Sequence, residues 1–176
     1  MSQERLIGIC CDGEATNTGS ENLILRRFEL MLNRPLHWFV CLLHFNELPL
    51  RYLFSALQKS TTSGPRTASG IITKQIETCE QMAAVPGFEA ISLGDMPPPI
   101  HEKTLLTDVQ YLYRMANVVC YGFCPENLAS IKPGQIVHYR WLTKASRLLR
   151  LYVTTSSPSA NLKTLATYIM KVYVPM

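Results

Sequence analysis

Asp12 is the side chain of this sequence that is best placed to do chemistry. It directly follows an apolar run at residues 6–11 and is itself followed by Gly13. An apolar run that stops at a carboxylate and a glycine is typical of a buried strand with an acid at its carboxyl end. Because ligands and metal ions bind beyond the carboxyl ends of strands in open α/β sheets, Asp12 is a candidate catalytic and metal-binding residue.

Cys41 and His44 form a second candidate group, at a Cys-x-x-His spacing. Together with His37 and Glu47 they occupy positions i, i+4, i+7 and i+10, which would share one face of a continuous helix and could bind zinc. Against this alternative, His37 fits a strand better than a helix. A structural zinc ion also usually takes its ligands from two separate segments.

A third group is basic. Arg140, Lys144 and Arg147 are spaced i, i+4 and i+7, so a helix over residues 138–153 would carry them as one stripe opposite its apolar side. Such a stripe contacts phosphates and adds affinity without sequence choice. Residues 127–176 contain seven Lys and Arg and no acid, whereas residues 1–126 have a net charge of −3. This asymmetry favours a nucleic acid, such as DNA, as a partner, the alternative being an ordinary solvated face.

The elements that would position these side chains are a strand at residues 6–11, a helix at 20–33 and a strand at 36–41. The second strand is apolar throughout, which predicts a strand buried on both faces of a parallel sheet. Asn46 is the expected N-cap of the next helix, with Pro49 in its first turn and His44 in the turn before it. Later helices are predicted near residues 72–83 and 105–119, and over 138–153 and 158–172.

The predicted fold class is therefore α/β, with two or three parallel strands and flanking helices followed by an all-helical second half. Residues 1–60 would form the core, residues 61–103 a loop-rich connection with a short helix, and residues 104–176 a helical, basic segment. Hydrophobic residues make up 47% of the chain and charged residues only 17%, which predicts apolar surface that meets missing chain, a partner or, as the least favoured alternative, a membrane. No apolar run approaches membrane-spanning length and no secretory signal begins the sequence, so an intracellular location with reduced cysteines is expected, without a membrane partner.

The order of Asp12, an amphipathic helix, a strand, Cys41-x-x-His44 and the later Arg140-Trp141 pair resembles the middle of the catalytic domain of hAT-type transposases. That resemblance implies a ribonuclease-H-like fold and a nuclear protein. It also implies that Asp12 is the second of three metal-binding carboxylates and that Cys41 and His44 are a buried structural pair. Trp141 would stack on a flipped base, the alternative being a Trp packed in the core.

Metal-assisted phosphoryl transfer needs several carboxylates around two metal ions. Upstream of Asp12 the only acid is Glu4, and no acid follows Glu126. With one of three expected carboxylates, we predict a truncated or decayed transposase that is not an enzyme by itself. It would need no cofactor alone and would bind Mg²⁺ or Mn²⁺ only in a complete site.

Two further interpretations are a non-enzymatic protein-interaction or nucleic-acid-binding module, and a remnant without function. An incomplete ribonuclease-H-like core leaves the strand at residues 6–11 with an open edge on the side away from residues 36–41. We therefore expect self-association, or a partner chain that covers this edge.

Overall fold

In the computed structural model, the chain is described over residues 6–11, 17, 24–58, 70–93, 104–134 and 141–175. These residues form a mixed α/β structure that is mostly helical, with seven α-helices and two strands. The predicted α/β class is confirmed at this level. The chain divides into two compact units, Met1–Pro49 and Leu50–Met176. Within the described ranges, no helix is both long and apolar enough to cross a membrane.

The N-terminal unit contains two parallel strands with a helix between them in sequence. They are β1 (Gly8–Cys11), α1 (Ile24–Leu32) and β2 (His37–Val40). The predicted order and the predicted parallel pairing of these two strands are confirmed, with Gly8 opposite His37 and Cys11 opposite Val40. The predicted start of the helix at Ser20 lies outside the described residues.

Two polar contacts fix the connection between α1 and the strands. Glu29 Oε1 accepts a hydrogen bond from the backbone N–H of Leu36 at 3.1 Å. Arg34 Nη2 donates to the carbonyl oxygen of Leu6 at 2.6 Å. Asn33, just after the helix, adopts a left-handed conformation with φ 51°, which is a common way to end a helix. These contacts hold the beginnings of both strands beside the end of α1.

The prediction that the second strand is buried on both faces is wrong. All four residues of β2 are exposed, including Trp38 at 42% and Phe39 at 59%. Only Leu36, just before the strand, is buried. A parallel strand is buried when other elements cover both of its faces, and the sheet formed by the described residues has only two strands. An apolar sequence shows that a strand would gain stability from burial, but it does not show that other elements cover the strand.

The helix after β2 begins earlier than predicted, as α2 (Leu42–Gln58). Cys41 joins the two elements, because its N–H donates to the carbonyl of Cys11 at 3.0 Å and its carbonyl accepts from the N–H of Phe45 at 2.9 Å. Asn46 is therefore not the N-cap, and Pro49 lies inside the helix. Pro49 has no N–H to donate to the carbonyl of Phe45, so it removes one helical hydrogen bond there.

The C-terminal unit is helical, as predicted for the second half of the chain. After α2 it contains, in chain order, α3 (Ile71–Thr78), a 3₁₀ turn (Cys79–Gln81), α4 (Thr107–Tyr121), α5 (Glu126–Ala129), α6 (Trp141–Val153), α7 (Ala160–Tyr168) and a π-helical segment (Ile169–Tyr173). The helices predicted near residues 72–83, 105–119, 138–153 and 158–172 are confirmed, with shifted ends except for the predicted start at residue 138, which lies outside the described residues.

Helix α6 is the centre of this unit, and it packs against α3, α4 and α7. Every residue from Lys144 to Val153 is buried. The predicted apolar side of the helix is in the core, with Ala145, Leu148 and Leu149 fully buried. Because the opposite side is buried as well, the basic side chains on it need hydrogen-bond partners inside the protein.

Candidate functional site

The residues predicted to do catalysis are only partly within the described structure. Asp12 lies outside it, as does Arg140. The backbone of His44 is in the first turn of α2, not in a turn before the helix, and its side chain is outside the described part. Cys41 acts through its backbone, as the junction between β2 and α2. The contact expected between Cys41 and His44 therefore stays a prediction.

The alternative of a zinc site on one face of a continuous helix is wrong. It required His37, Cys41, His44 and Glu47 on one continuous helix, but His37 lies in β2 and the helix begins only at Leu42. Across the described residues there is no group of three or more His, Cys, Asp or Glu side chains that could hold a metal ion. The spacing matched a helix that the chain does not form.

The basic stripe is the largest difference between the expected site and the structure. Lys144 and Arg147 are buried, with exposed fractions of 7% and 4%, so they do not face solvent opposite the apolar side. Arg150, one turn further on, is also buried at 2%. We call Lys144, Arg147 and Arg150 the basic ladder of α6. Phosphate contacts by Arg140, Lys144 and Arg147 remain a prediction, which the burial of Lys144 and Arg147 does not favour.

Arg147 uses its guanidinium group to hold three segments together. Its Nη1 donates to the carbonyl of Ile76 at 2.9 Å, in the last turn of α3, and its Nε donates to the carbonyl of Gly134 at 2.9 Å. Its Nη2 pairs with Glu80 Oε2 at 2.7 Å. A cation at the end of a helix interacts favourably with the carbonyl groups there. Arg147 therefore works as an internal clamp.

Arg150 and Lys144 are held in different ways. Arg150 Nη2 donates to the carbonyl of Ala129 at 2.6 Å and to that of Met82 at 3.3 Å. Lys144 Nζ lies 4.5 Å from the ring centroid of Phe54, a cation–π contact. The ladder thus contacts α2, the end of α5 and the segment after α3.

The thiols and the phenol near this ladder are poor nucleophiles and acids. Burial raises the pKa of the Cys79 thiol, although the nearby Arg147 charge lowers it in part. Burial likewise raises the pKa of Cys124. It raises the pKa of Tyr111 to about 12. Because the thiolate is the reactive form of cysteine, a raised pKa favours the unreactive thiol form of Cys79 and Cys124.

Trp141 packs against the protein itself. Its ring is stacked on that of Tyr173, with centroids 4.7 Å apart and an angle of 18° between the planes. Tyr173 in turn makes an edge contact with Tyr168. This geometry agrees with the alternative of a packed Trp, since Tyr173 covers one face of the Trp141 ring. Stacking of a base on Trp141 remains a prediction.

The charge asymmetry of the sequence is reduced by contacts between distant segments. Glu80 pairs with Arg147, and Glu89 accepts a hydrogen bond from Lys163 Nζ. That bond raises the pKa of Lys163. Both acids precede residue 127, so they do not enter the count for the acid-free half of the chain. The basic half of the sequence is thus not an equally basic surface.

Two shallow grooves are found on the C-terminal unit. One, of about 580 Å³, lies between α4 and α5 and is lined by Asn117, Tyr121, Phe123, Asn127 and Ile131 among others. The second, of about 480 Å³, is lined by Leu53 of α2 and by residues of α7 and the π-helical segment, including Lys163 and Lys171. Neither brings together a nucleophile, a base and an acid.

Sequence reasoning missed the exposure of β2, which lies in the N-terminal unit. Its strands, with the residue just before β1, expose large apolar side chains at Ile7, Trp38, Phe39 and Val40. Its helical segments expose Ile24, Phe28, Leu30, Met31, Leu42 and Phe45. We call the strand residues together with these helical residues the N-terminal apolar surface. The apolar excess of the whole sequence was a signal for such a surface, but it did not say where the surface lies.

Comparison of the chain with protein-family models, with curated proteins and with solved structures gave no match.

Proposed function

We propose that this chain is a non-enzymatic interaction module, and that its N-terminal unit binds another polypeptide, which adds one or more strands to the sheet of β1 and β2. The observation that carries this proposal is the exposure of β2. All four of its residues are exposed, although they form one of the most apolar segments of the chain. Parallel strands are normally covered on both faces, and a sheet gains independent stability with three or more strands.

The energetic reason is the size of the side chains involved. Covering an exposed Phe or Leu side chain completely is worth about 1.5–3 kcal/mol. Trp38 and Phe39 are adjacent in β2 and point to opposite faces of the sheet, because successive side chains of a strand alternate. A partner that adds a strand therefore gains backbone hydrogen bonds at the edge and apolar contacts on both faces.

The chemistry of the candidate residues does not support catalysis. The sequence offers one of the three expected carboxylates. The buried thiols have raised pKa values, and the buried arginines are engaged with carbonyl groups and with Glu80. These groups stabilise the helical unit and are not directed at a substrate.

A ribonuclease-H-like origin, shared with hAT-type transposases, is part of the same proposal. It is supported by the order of strand, helix and parallel strand in the N-terminal unit. A search of the genomic sequence on both sides for in-frame strands and for the two other carboxylates tests this origin. Finding neither would remove it and would leave the interaction module unaffected.

Site-specific photo-crosslinking tests the interaction. The full-length chain carries a benzophenone amino acid in place of Phe39 and is irradiated in cells that express it. The matched control carries the same group in place of Tyr121, which is 75% exposed at the end of α4. We expect a covalent adduct with one polypeptide at position 39 and none with that polypeptide at position 121. The same adducts from both positions, or none from position 39, would contradict the proposal.

A further inference from the structure

The free edge of β2 can be located residue by residue. The N–H of His37 donates to the carbonyl of Ile7 at 3.0 Å, and the N–H of Cys41 donates to that of Cys11 at 3.0 Å. In a parallel pair, every second residue directs its N–H and carbonyl groups at the neighbouring strand, so Phe39 faces β1 in the same way. Trp38 and Val40 therefore direct their backbone groups away from β1, and no described residue pairs with these groups.

The segment that contains this edge has neither acidic residues nor Lys and Arg. From Pro35 to Asn46 the sequence contains no Asp, Glu, Lys or Arg, and the nearest charges are Arg34 and Glu47. Natural edge strands are usually protected against pairing with their own kind by charged residues, especially Lys. That protection is missing here. An acidic or basic partner finds no complementary charge at this edge, whereas an identical strand meets no like charge.

Two copies of β2 could pair antiparallel in several registers. Only one of these registers pairs the free backbone groups of Trp38 with those of Val40. A two-fold axis at Phe39 places Trp38 opposite Val40 of the second copy, where each pair exchanges two hydrogen bonds. An axis at Trp38 would instead require the N–H of Leu36, which already donates to Glu29. An axis at Val40 would require Leu42, the first residue of α2.

We infer that the partner of the N-terminal unit is a second copy of this chain, which pairs its β2 antiparallel with β2 about a two-fold axis at Phe39. This inference rests on the proposed function and names its partner. The result is a sheet of four strands in the order β1, β2, β2 and β1. Phe39, which is 59% exposed in the single chain, then lies directly opposite its own copy. The interface is isologous, so it closes at two chains.

Opposite charges at position 39 test the two-fold axis. Sedimentation velocity is measured over a range of concentrations for the full chain and for the Phe39→Lys and Phe39→Glu variants. We expect a dimer for the unchanged chain and monomers for each variant, because the axis places two like charges face to face. An equimolar mixture of the two variants should regain the dimer, with one Lys chain and one Glu chain in each, as read by mass spectrometry with one variant labelled with ¹⁵N.

The control is Tyr121→Lys, which changes an exposed ring of the C-terminal unit and should remain a dimer. A monomeric unchanged chain at all concentrations would overturn the inference. So would variants that stay dimeric, or a mixture of folded variants that stays monomeric.

Disulfide trapping tests the register without adding charge. At a non-hydrogen-bonded antiparallel pair the Cα atoms are about 4.5 Å apart, which a disulfide can bridge. In a chain with Cys10 changed to Ser, Phe39→Cys should give covalent dimer on oxidation. Trp38→Cys should give no more than the Cys10→Ser chain alone, because residue 38 faces residue 40 and not its own copy. Trapping at position 38 but not at position 39 would refute the proposed axis.

The photo-crosslinking adduct separates this inference from the function on which it rests. An adduct of twice the chain mass at position 39 supports both. An adduct of another mass supports the interaction module and overturns the second copy as its partner. The absence of any adduct at position 39 counts against both.

Discussion

Arg147 shows how a residue that looks like a ligand-binding side chain in sequence can be a structural one. On a helical wheel it belongs to a basic stripe, and in the structure it is 4% exposed and bonded to three backbone carbonyls and a carboxylate. The partners come from residues 67 to 71 positions earlier in the chain and from Gly134, just before α6. Burial of such a cation is tolerated only because these partners are present.

We expect Arg147→Gln to destabilise the C-terminal unit by about 3 kcal/mol, since it leaves Glu80 and the carbonyl of Ile76 without their charged donor. For a chain of this size that corresponds to a fall in Tm of roughly 6–12 °C. Thermal unfolding followed by circular dichroism measures it. Lys132→Gln, at an exposed loop position, is the control and should change Tm by less than about 2 °C. An unchanged Tm for Arg147→Gln would mean that the clamp is unimportant.

Glu29 predicts a dependence of stability on pH in the N-terminal unit. Its hydrogen bond from the N–H of Leu36 lowers the pKa of the carboxyl group, and Arg26 adds to this effect. Because the folded-state pKa is below the unfolded one, the stabilisation is complete above the unfolded pKa and is lost as pH falls through the folded pKa. The unchanged chain should therefore be more stable than Glu29→Gln at neutral pH, and the difference should vanish in acid. The melting temperatures of both chains are measured from neutral to acid pH. A difference between them that stays the same at every pH would contradict the expectation.

At the scale of elements, the pairing of β1 with β2 depends on a close approach at Gly8. A Cβ atom at this position would lie 2.7 Å from the carbonyl oxygen of His37 and 2.7 Å from the ring of Phe39. The ring could move by itself, but the carbonyl belongs to the paired strand and moves only if that strand shifts. Glycine at position 8 is thus required by the neighbouring strand and not by its own backbone angles.

Gly8→Ala should weaken this strand pair by about 1–3 kcal/mol, since the neighbouring strand has to shift to relieve the overlap. Hydrogen exchange at the amides of His37 and Cys41, which bond to β1, should accelerate. The control is Gly87→Ala, where an added Cβ meets nothing within 4 Å. Equal exchange rates in the two variants would show that the strand pair tolerates the side chain.

The end of β2 illustrates how an element boundary is decided by backbone hydrogen bonds. Asn46 and Pro49 are a sound N-cap and first-turn pattern in sequence. The helix begins sooner, because the carbonyl of Cys41 accepts the N–H of Phe45. The N–H of Cys41 meanwhile still bonds to Cys11 in β1. The predicted N-cap, Asn46, therefore lies inside the helix.

At the scale of the whole molecule, we expect no nuclease activity. The purified chain with Mg²⁺ or Mn²⁺ should leave a supercoiled plasmid intact, because Asp12 without two further carboxylates cannot organise a two-metal site. The assay is conversion of supercoiled to nicked plasmid. Nicking that Asp12→Asn abolishes would contradict this prediction, whereas nicking that persists in the variant would indicate a contaminating nuclease.

DNA binding should be weaker than the +7 charge of residues 127–176 suggests. Lys144, Arg147 and Arg150 are buried, and Lys163 is bonded to Glu89. What binding there is should fall as salt rises and should depend on exposed cations such as Lys132 and Lys171. Titration of duplex DNA at two salt concentrations, with Lys132→Gln and Lys171→Gln combined, measures both effects. Binding that is unaffected by salt would remove DNA as a partner.

Local pattern was enough to determine much of this protein. The strands near residues 6–11 and 36–41, the helix between them and the helical second half follow from hydrophobic periodicity, which reflects short-range geometry. The candidate site could not be obtained in the same way. Whether Lys144 and Arg147 face solvent depends on whether residues 70–93 fold back over α6, and whether β2 is covered depends on strands that the described sheet lacks. Periodicity shows which side chains share a face, but only tertiary structure decides what lies against that face, because burial is set by contacts between residues far apart in the chain.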